Sequence, residues 1–499
     1  MMTLSIPNEL LFQGNPLLAP IALTPLFFSL LASTLRQAKH YTLLFGISFT
    51  VAANYWLANF GDYSIWTLGG VTFAYIIYYS LLSPLLWHAS RQEPHIRPIF
   101  FAAVWTVFEY TRSIGFLAYP WALLAHSQHN NLPLLQISKI LGIWPITFLL
   151  AWTSATAAQH IRFPHTRRHT IRNIAAIAAL TTLFLIYGII ELTTTPQPAA
   201  TLRAALIQQN ADSWQEGNET NSILTAENLS IQALRETPQP EIIIWNETIL
   251  TYPYQFKNYY DTHPSRYPLN RYLTDSKTPL LTGIPYREDR QTYYNATMLI
   301  SDTHKILDYY GKKRLVPFAE YIPYWENHLV RDFFKKTIGI YGTWMPGKKD
   351  TIYHIKTRMG KIIKAATPIC FEDAFPDINS TFIRKGAQVL INLTNDSWSG
   401  QKSAQLQHYV PAKMVAIELG ITLVRSTNSG YTSVTDPWGR ITADLPMFTS
   451  TYLVTDIPIY HPQNTPYSKL GDILPQLLII LIFINLLRQK KTERLTSAI

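Results

Sequence analysis

Between residues 20 and 192 the chain carries six apolar runs separated by short polar joints, at 20–35, 41–60, 64–87, 97–111, 134–158 and 173–192. Most approach the ~20 apolar residues a helix needs to cross ~30 Å of hydrocarbon. The third (SIWTLGGVTFAYIIYYSLLSPLLW) and sixth (NIAAIAALTTLFLIYGIIEL) are the firmest. Core helices of a large soluble protein would read similarly, but these joints leave too little polar surface to cover so many. Composition agrees. Charged residues make up 15% of the chain, well below the ~25% of soluble domains, and the 47% hydrophobic and 13% aromatic content excludes a disordered scaffold. The single cysteine, Cys370, rules out a disulfide within the chain and a cysteine-rich zinc site.

Lys and Arg number 42 against 32 Asp and Glu, a net +10. In a soluble chain that surplus would suit nucleic acid; in a membrane protein it collects on the cytoplasmic side, so no nucleic-acid partner is expected. The bases do cluster. Arg36 and Lys39 follow the first run, Arg91 and Arg97 separate the third from the fourth, and Arg162, Arg167, Arg168 and Arg172 separate the fifth from the sixth. The alternate joints, Gly61-Asp62-Tyr63 and 113–133, are poor in base. The positive-inside bias therefore puts the basic joints in the cytoplasm and lets the chain emerge on the far side at about 192. A last, short run at 473–487 is followed by Arg488, Lys490, Lys491 and Arg494, and it can cross with local thinning or snorkelling. The expected plan is a transmembrane helical bundle over 1–192, an outward-facing soluble domain over 193–470, and a closing helix with a basic tail over 471–499. Residues 1–19 make a poor span and lack the basic region and apolar core of a cleavable signal, which leaves seven or eight helices open.

Within the soluble part, 202–208, 241–245, 362–369, 388–393 and 421–426 read as buried strands. A hairpin follows with Asp436-Pro437-Trp438-Gly439 as its turn, and a helix is expected over 403–419, so the pattern is layered α/β. Reactive groups stand at strand ends: Glu247 after 241–245, Cys370 after 362–369, and Lys312-Lys313 before Leu315-Val316-Pro317-Phe318. A thiolate nucleophile needs a base for its proton and a cation or donor for the oxyanion it creates. Each residue alone has a plainer reading: a buried small hydrophobe, a loop or cap residue, a solvated lysine pair. Spacing does not combine them.

A resemblance does. WNE (245–247), YGKKRLVPFAEYIP (310–323), PICFED (368–373), NLTNDSW (392–398) and VRSTNSGYTSVTDPWGRI (424–441) resemble the nitrilase superfamily, and more narrowly its membrane-embedded branch, the apolipoprotein N-acyltransferase family. The resemblance implies an αββα sandwich facing the periplasm. It also implies Glu247 as general base, Lys312 as the cation for the oxyanion and Cys370 as nucleophile, with Glu320, Glu372, Phe371, Trp214 and Trp398 as supporting or substrate-binding residues. Lys313 is the adjacent alternative to Lys312. Two departures bear on detail: Ala319 stands where the family usually has Gly, tightening the local turn, and Phe371 stands where Tyr is common.

The activity so implied is acyl transfer in two steps, from a membrane phospholipid to Cys370 and then to the N-terminal amine of a diacylglyceryl apolipoprotein. It takes place at the bilayer of a bacterial inner membrane, with no metal or soluble cofactor. The 320–350 stretch, rich in aromatics with Arg331, Lys335 and Lys336 among them, reads as an arm for a membrane interface, or as an ordinary loop with a helical turn. Two rivals stand beside this reading. A membrane-tethered nitrilase-type amidase would share the triad and hydrolyse its thioester. A transporter or assembly factor would line its bundle with charge, for which Glu109 and Arg112 are the mid-bundle candidates, three residues apart and readable as a local ion pair or as snorkelling at the interface. His165 and His169 lie four apart with no acidic partner, a weak metal pattern.

Overall fold

The computed structural model describes residues 1–59, 64–211, 217–290, 292–338 and 342–497. It divides into two compact units, Met1–Thr194 with Thr465–Ile499, and Thr195–Asn464.

The first unit is helical. Among the described residues two helices, Ile65–Ser90 and Pro164–Thr193, are long and apolar enough to cross a membrane. A third candidate is a pair, Leu132–Leu141 and Trp144–Arg162, bent by 118°. The run expected to be continuous over 134–158 is therefore broken. Gly142 takes φ 70°, open to a residue without Cβ, and Pro145 then sits in the first turn of the next helix, where its missing N–H costs nothing. The runs at 20–35 and 473–487 form shorter apolar helices, within Pro16–Leu30 and Ile473–Gln489. Residues 1–19 hold only a four-residue helix, Met2–Ser5, and the start of a 3-10 turn, too little for a span. Leu35–Ala53 starts on a capping box, Thr34 accepting from the Gln37 backbone and Gln37 accepting from Thr34 N, which satisfies two orphan donors. Glu109 and Arg112 are both buried and 4.0 Å apart. Glu109 accepts from Trp105 Nε1, Leu124 N and Thr147 Oγ1. Arg112 donates to Tyr75 Oη and to the carbonyls of Trp121 and Ala122. Arg112 does not snorkel; the pair ties an irregular segment to its helix.

Among the described residues the second unit contains twelve strands: β1 Ala200–Gln208, β2 Ile242–Ile244, β3 Leu280–Arg287, β4 Tyr293–Ile300, β5 Ile306–Gly311, β6 Tyr353–Lys356, β7 Ile362–Ala366, β8 Val389–Thr394, β9 Thr422–Thr427, β10 Ser433–Thr435, β11 Ile441–Asp444 and β12 Thr451–Ile459. They form two six-stranded sheets, ordered β12-β1-β2-β3-β4-β5 and β11-β10-β9-β8-β7-β6. Each has a parallel centre, β1-β2-β3 and β7-β8-β9, with antiparallel flanks. Parallel strands covered on both faces read as continuous apolar runs, which is why 202–208, 241–245, 388–393 and 421–426 were visible in sequence. Helices Glu219–Ala233 and Leu269–Ser276 cover one sheet through Ile223, Ala226, Leu269 and Leu273. Pro376–Arg384 and Lys402–Leu419 accompany the other. The sheets face each other through polar as well as apolar groups: Thr297 and Thr367 hydroxyls meet at 2.6 Å, and Thr422 Oγ1 donates to Pro458 O at 2.6 Å.

Candidate active site

Three chain segments leaving strand ends bring the site together. After β2 the chain passes Trp245 and Asn246 to Glu247, whose backbone lies against Gly283 of β3. A Cβ on Gly283 would stand 2.5 Å from Glu247 Cα, so only glycine allows this approach. Asn295 Nδ2 on β4 donates to Glu247 Oε1 at 2.8 Å, and the Asn395 backbone N–H donates to Oε2 at 3.0 Å. Both bonds aim the carboxylate.

Lys312 follows β5 directly and is almost wholly buried. Its Nζ lies 2.9 and 2.8 Å from the two oxygens of Glu320 and 3.6 Å from Glu247 Oε1. Lys313 points elsewhere, to Asp350, so Lys312 is the lysine of the cluster. Glu320 also accepts from Val316 N at 2.8 Å and from Asn295 Nδ2 at 3.0 Å; Asn295 thus bridges the two carboxylates that share one ammonium. In the turn that carries Glu320, the residue at positive φ is Phe318, at 63°, not Ala319. The departure from glycine at 319 therefore strains nothing.

Cys370 opens a 3-10 turn, Cys370–Ala374, with φ 53°. A non-glycine residue holds this left-handed conformation only where surroundings over-determine it. Here Asn392 Nδ2 donates to Cys370 O at 2.7 Å, and Ile369 forms a bridge to Leu393 beyond β8's centre. Glu372 does most of the fixing. Buried, it accepts from the backbone N–H of Ile369, Lys313 and Arg314 at 2.8, 2.7 and 2.9 Å, and from Tyr310 Oη. One carboxylate thereby joins the cysteine turn to the backbone just after Lys312. Burial raises its acid group to about 7 against those donors. Phe371 lays its ring 5.4 Å from Lys312 Nζ, a cation–π contact that uses the ring and not a tyrosine hydroxyl.

Electrostatics link the three groups. Burial pushes the Cys370 thiol well above its ordinary range; Glu247 adds to that and Lys312 opposes it. Burial also raises Glu247, with Lys312 opposing and Glu320 reinforcing. Lys312 stays firmly cationic: burial works against its charge, but Glu320, Cys370 and Glu247 outweigh it. A raised carboxylate is a better base, and a protonated thiol beside it is the pair from which a thiolate can form on demand.

Of the supporting residues, Glu320, Glu372 and Phe371 lie in the cluster. Trp398 is half-buried in the turn Ser397–Ser399, and Trp214 lies outside the described residues. Sequence reasoning did not single out Asn295, Asn392, Asp396, His408 or Arg425. Asn392, Asp396 and Arg425 stand inside the motifs NLTNDSW and VRSTNSGYTSVTDPWGRI, and a polar Asn295 inside the apolar YYNATMLI was a further local signal. Behind the cysteine, Sγ of Cys370, one carboxylate oxygen of Asp396 and one ring nitrogen of His408 lie within 4.8 Å of one another.

Residues 1–156 match the family model described as Apolipoprotein N-acyltransferase N-terminal domain, and residues 203–467 match Carbon-nitrogen hydrolase. Apolipoprotein N-acyltransferase 2 of Treponema denticola is 37% identical over 98% of this chain and 95% of its own. The protein of the same name from Treponema pallidum is 33% identical over 97% and 92%. Apolipoprotein N-acyltransferase of Borreliella burgdorferi is 32% identical over 100% and 96%.

Proposed function

The chain belongs to the apolipoprotein N-acyltransferase family, and from that premise we propose how its site performs acyl transfer. One thiol, one carboxylate and one ammonium lie close enough to act on one another's charge, Lys312 Nζ at 3.6 Å from Glu247 and both beside Cys370, and this convergence carries the reading. Glu247 takes the proton of Cys370 as the sulfur attacks an ester carbonyl of a membrane phospholipid. Lys312 holds the charge that develops on the carbonyl oxygen, worth ~3–4 kcal/mol by comparison with single oxyanion donors. The C–O bond breaks, Glu247 returns the proton to the departing lysophospholipid, and a thioester remains on Cys370. The N-terminal amine of a diacylglyceryl apolipoprotein then attacks that thioester, leaving an amide-linked chain. Glu320 and Asn295 keep Lys312 and Glu247 apart and aimed. Glu372 supports the cysteine turn and Trp398 is a substrate-binding residue.

The helices of the first unit mark a membrane protein. Its placement in the bacterial inner membrane, with Thr195–Asn464 in the periplasm, is supported by the distribution of arginine and lysine among the joints. Both substrates carry acyl chains, which explains why a thioester enzyme would keep a membrane unit.

Mass spectrometry of the purified full chain tests the reading. Incubation with a glycerophospholipid should add one fatty-acyl mass to Cys370, chased off by a diacylglyceryl-cysteine peptide that gains an amide-linked chain. Cys370→Ala and Glu247→Gln should show no adduct. Release of free fatty acid without transfer would replace this reading by that of an amidase.

A further inference from the structure

Glu247, Lys312 and Cys370 act on an ester group and take no account of the molecule the ester belongs to. In a glycerophospholipid only the glycerol unit separates the ester carbonyls from a phosphodiester. An ester that reaches Cys370 therefore brings an anion to the mouth of the site, where an unpaired cation would hold it.

Strand register locates that mouth. Side chains alternate along β4, so Thr297, Asn295 and Tyr293 share one face. Thr297 meets Thr367 of the other sheet, and Asn295 donates to Glu247 and Glu320, so this is the face that lines the site. Pro285 of β3 lies opposite Asn295, and Arg287 opposite Tyr293. The pair Arg287–Tyr293, half-buried, stands where β3 ends and β4 begins. It lies two residues, or ~7 Å, outward from the level of Asn295.

Arg287 is held in place but not neutralised. Its backbone N–H donates to Gln255 Oε1 at 3.0 Å, and its carbonyl accepts from Gln255 Nε2. Its guanidinium carbon stands 5.7 Å from the ring centre of Phe256 and 5.5 Å from that of Tyr293, and Nε donates to Asp289 O at 2.8 Å. Met345 N–H bonds Tyr293 O while Trp344 N–H bonds Glu320 O, which ties the Tyr293 end of β4 to the loop that carries the carboxylate. Ring faces and one carbonyl orient a guanidinium without cancelling its charge. Neighbouring bases are cancelled: Lys312 by Glu320 and Glu247, Lys313 by Asp350, Arg314 by Asp377 and Lys348 by Glu288. Among the described residues no carboxylate pairs with Arg287. Its two Nη groups form a planar fork that matches the non-bridging oxygens of a phosphodiester.

We propose that Arg287 binds the phosphate of the acyl donor, its Nη groups holding the phosphodiester of a glycerophospholipid and so setting the ester over Cys370. The proposal rests on the acyl-transfer reading above and adds the feature by which the site selects a phosphate-bearing donor.

Two donors tested on the full chain in detergent micelles decide it. Acylation of Cys370 is followed by mass from a glycerophospholipid and from the p-nitrophenyl ester of the same fatty acid, which carries no phosphate. Both are used at subsaturating concentration. Arg287→Ala should lower the ratio of the first rate to the second at least ~10-fold, the order expected when hydrogen bonds to a charged group are lost. The loss should appear as a raised phospholipid concentration for half-maximal acylation. Arg287→Lys keeps the charge without the fork and should fall between; it carries the test should Arg287→Ala not fold, which the p-nitrophenyl ester reports. Lys348→Ala removes a neighbouring base already met by Glu288 and should keep the wild-type ratio within about twofold. An unchanged ratio in the Arg287 variants, or equal slowing with both donors, overturns the proposal. A deficit confined to thioester aminolysis by a diacylglyceryl-cysteine peptide overturns it too, and assigns Arg287 to the acceptor. Absence of an acyl adduct from either donor in wild type would instead overturn the acyl-transfer reading itself.

Discussion

Two carboxylates share one ammonium in this site, and a neutral amide decides how. Asn295 Nδ2 donates to both Glu247 and Glu320. Asn295→Ala should therefore reduce turnover by ~10–100-fold, since small misplacements of reacting groups cost on that order. Asn295→Asp should do worse, because a third carboxylate removes the donor and adds like charge; steady-state acyl transfer by both variants checks the order. A different residue tests stability alone. Glu227 is buried on Glu219–Ala233, neither oxygen has a hydrogen-bond partner among the described residues, and burial raises its acid group to about 9. Below the ordinary carboxylate value of ~4.3 both folded and unfolded chains hold the proton. As pH rises from there towards 9 the unfolded chain releases it first, so folding loses stability. Glu227→Leu should then stabilise the α/β unit by ~1–3 kcal/mol near pH 7–8, with the gain fading towards pH 4, read as the unfolding midpoint at each pH.

Elements differ in how openly sequence announces them. Most of the parallel central strands were legible because burial on both faces makes them uniformly apolar; Glu247 and Cys370, which follow two of them, and Lys312, which follows the flanking β5, were singled out by their motifs. β3 of the parallel centre and the flanking strands β4, β5, β6 and β12 were not marked out. β5, which leads to Lys312, has exposed or half-buried residues through most of its length, so it lacks that signature. His408 was invisible for another reason: it comes from a helix, and only the fold brings it beside Asp396 and Cys370, whereas Asp396 and Arg425 stand inside the motifs NLTNDSW and VRSTNSGYTSVTDPWGRI without having been singled out there. The broken apolar run is a third case, since hydropathy sees the residues flanking Gly142 but not its backbone angle. The 320–350 stretch, readable in sequence either as an arm for a membrane interface or as an ordinary loop with a helical turn, can be followed in detail in the structure. His328–Phe333 buries no residue, and Tyr324, Leu329 and Phe333 are exposed, while Trp344 N–H bonds Glu320 O and Gly347 N–H bonds Lys312 O at 2.8 Å each. Removing 326–338 and joining the ends with a short glycine-serine linker should leave those bonds intact. Folding should survive, and turnover on phospholipid in vesicles should fall ~10-fold; undiminished turnover would remove the arm's role.

At the scale of the whole molecule, the composition of the joints predicts an orientation that one native cysteine makes easy to test. In a Cys370→Ser background, Lys348→Cys, at a side chain 74% exposed, should react with a membrane-impermeant maleimide added to intact spheroplasts. Arg168→Cys should react only after lysis; the opposite pattern would invert the assigned topology. The order in which the chain is made adds a further consequence. β1 is the first strand of the α/β unit, and its antiparallel neighbour, β12, is the last, with Ala200 opposite Ile459. During synthesis one border of the nascent sheet must wait, with its backbone groups open to chance pairing, until almost the entire polypeptide has been made. Ribosomes that stall or terminate shortly before residue 451 would release a chain with its reactive residues present and its sheet unclosed, a ready substrate for quality-control proteases.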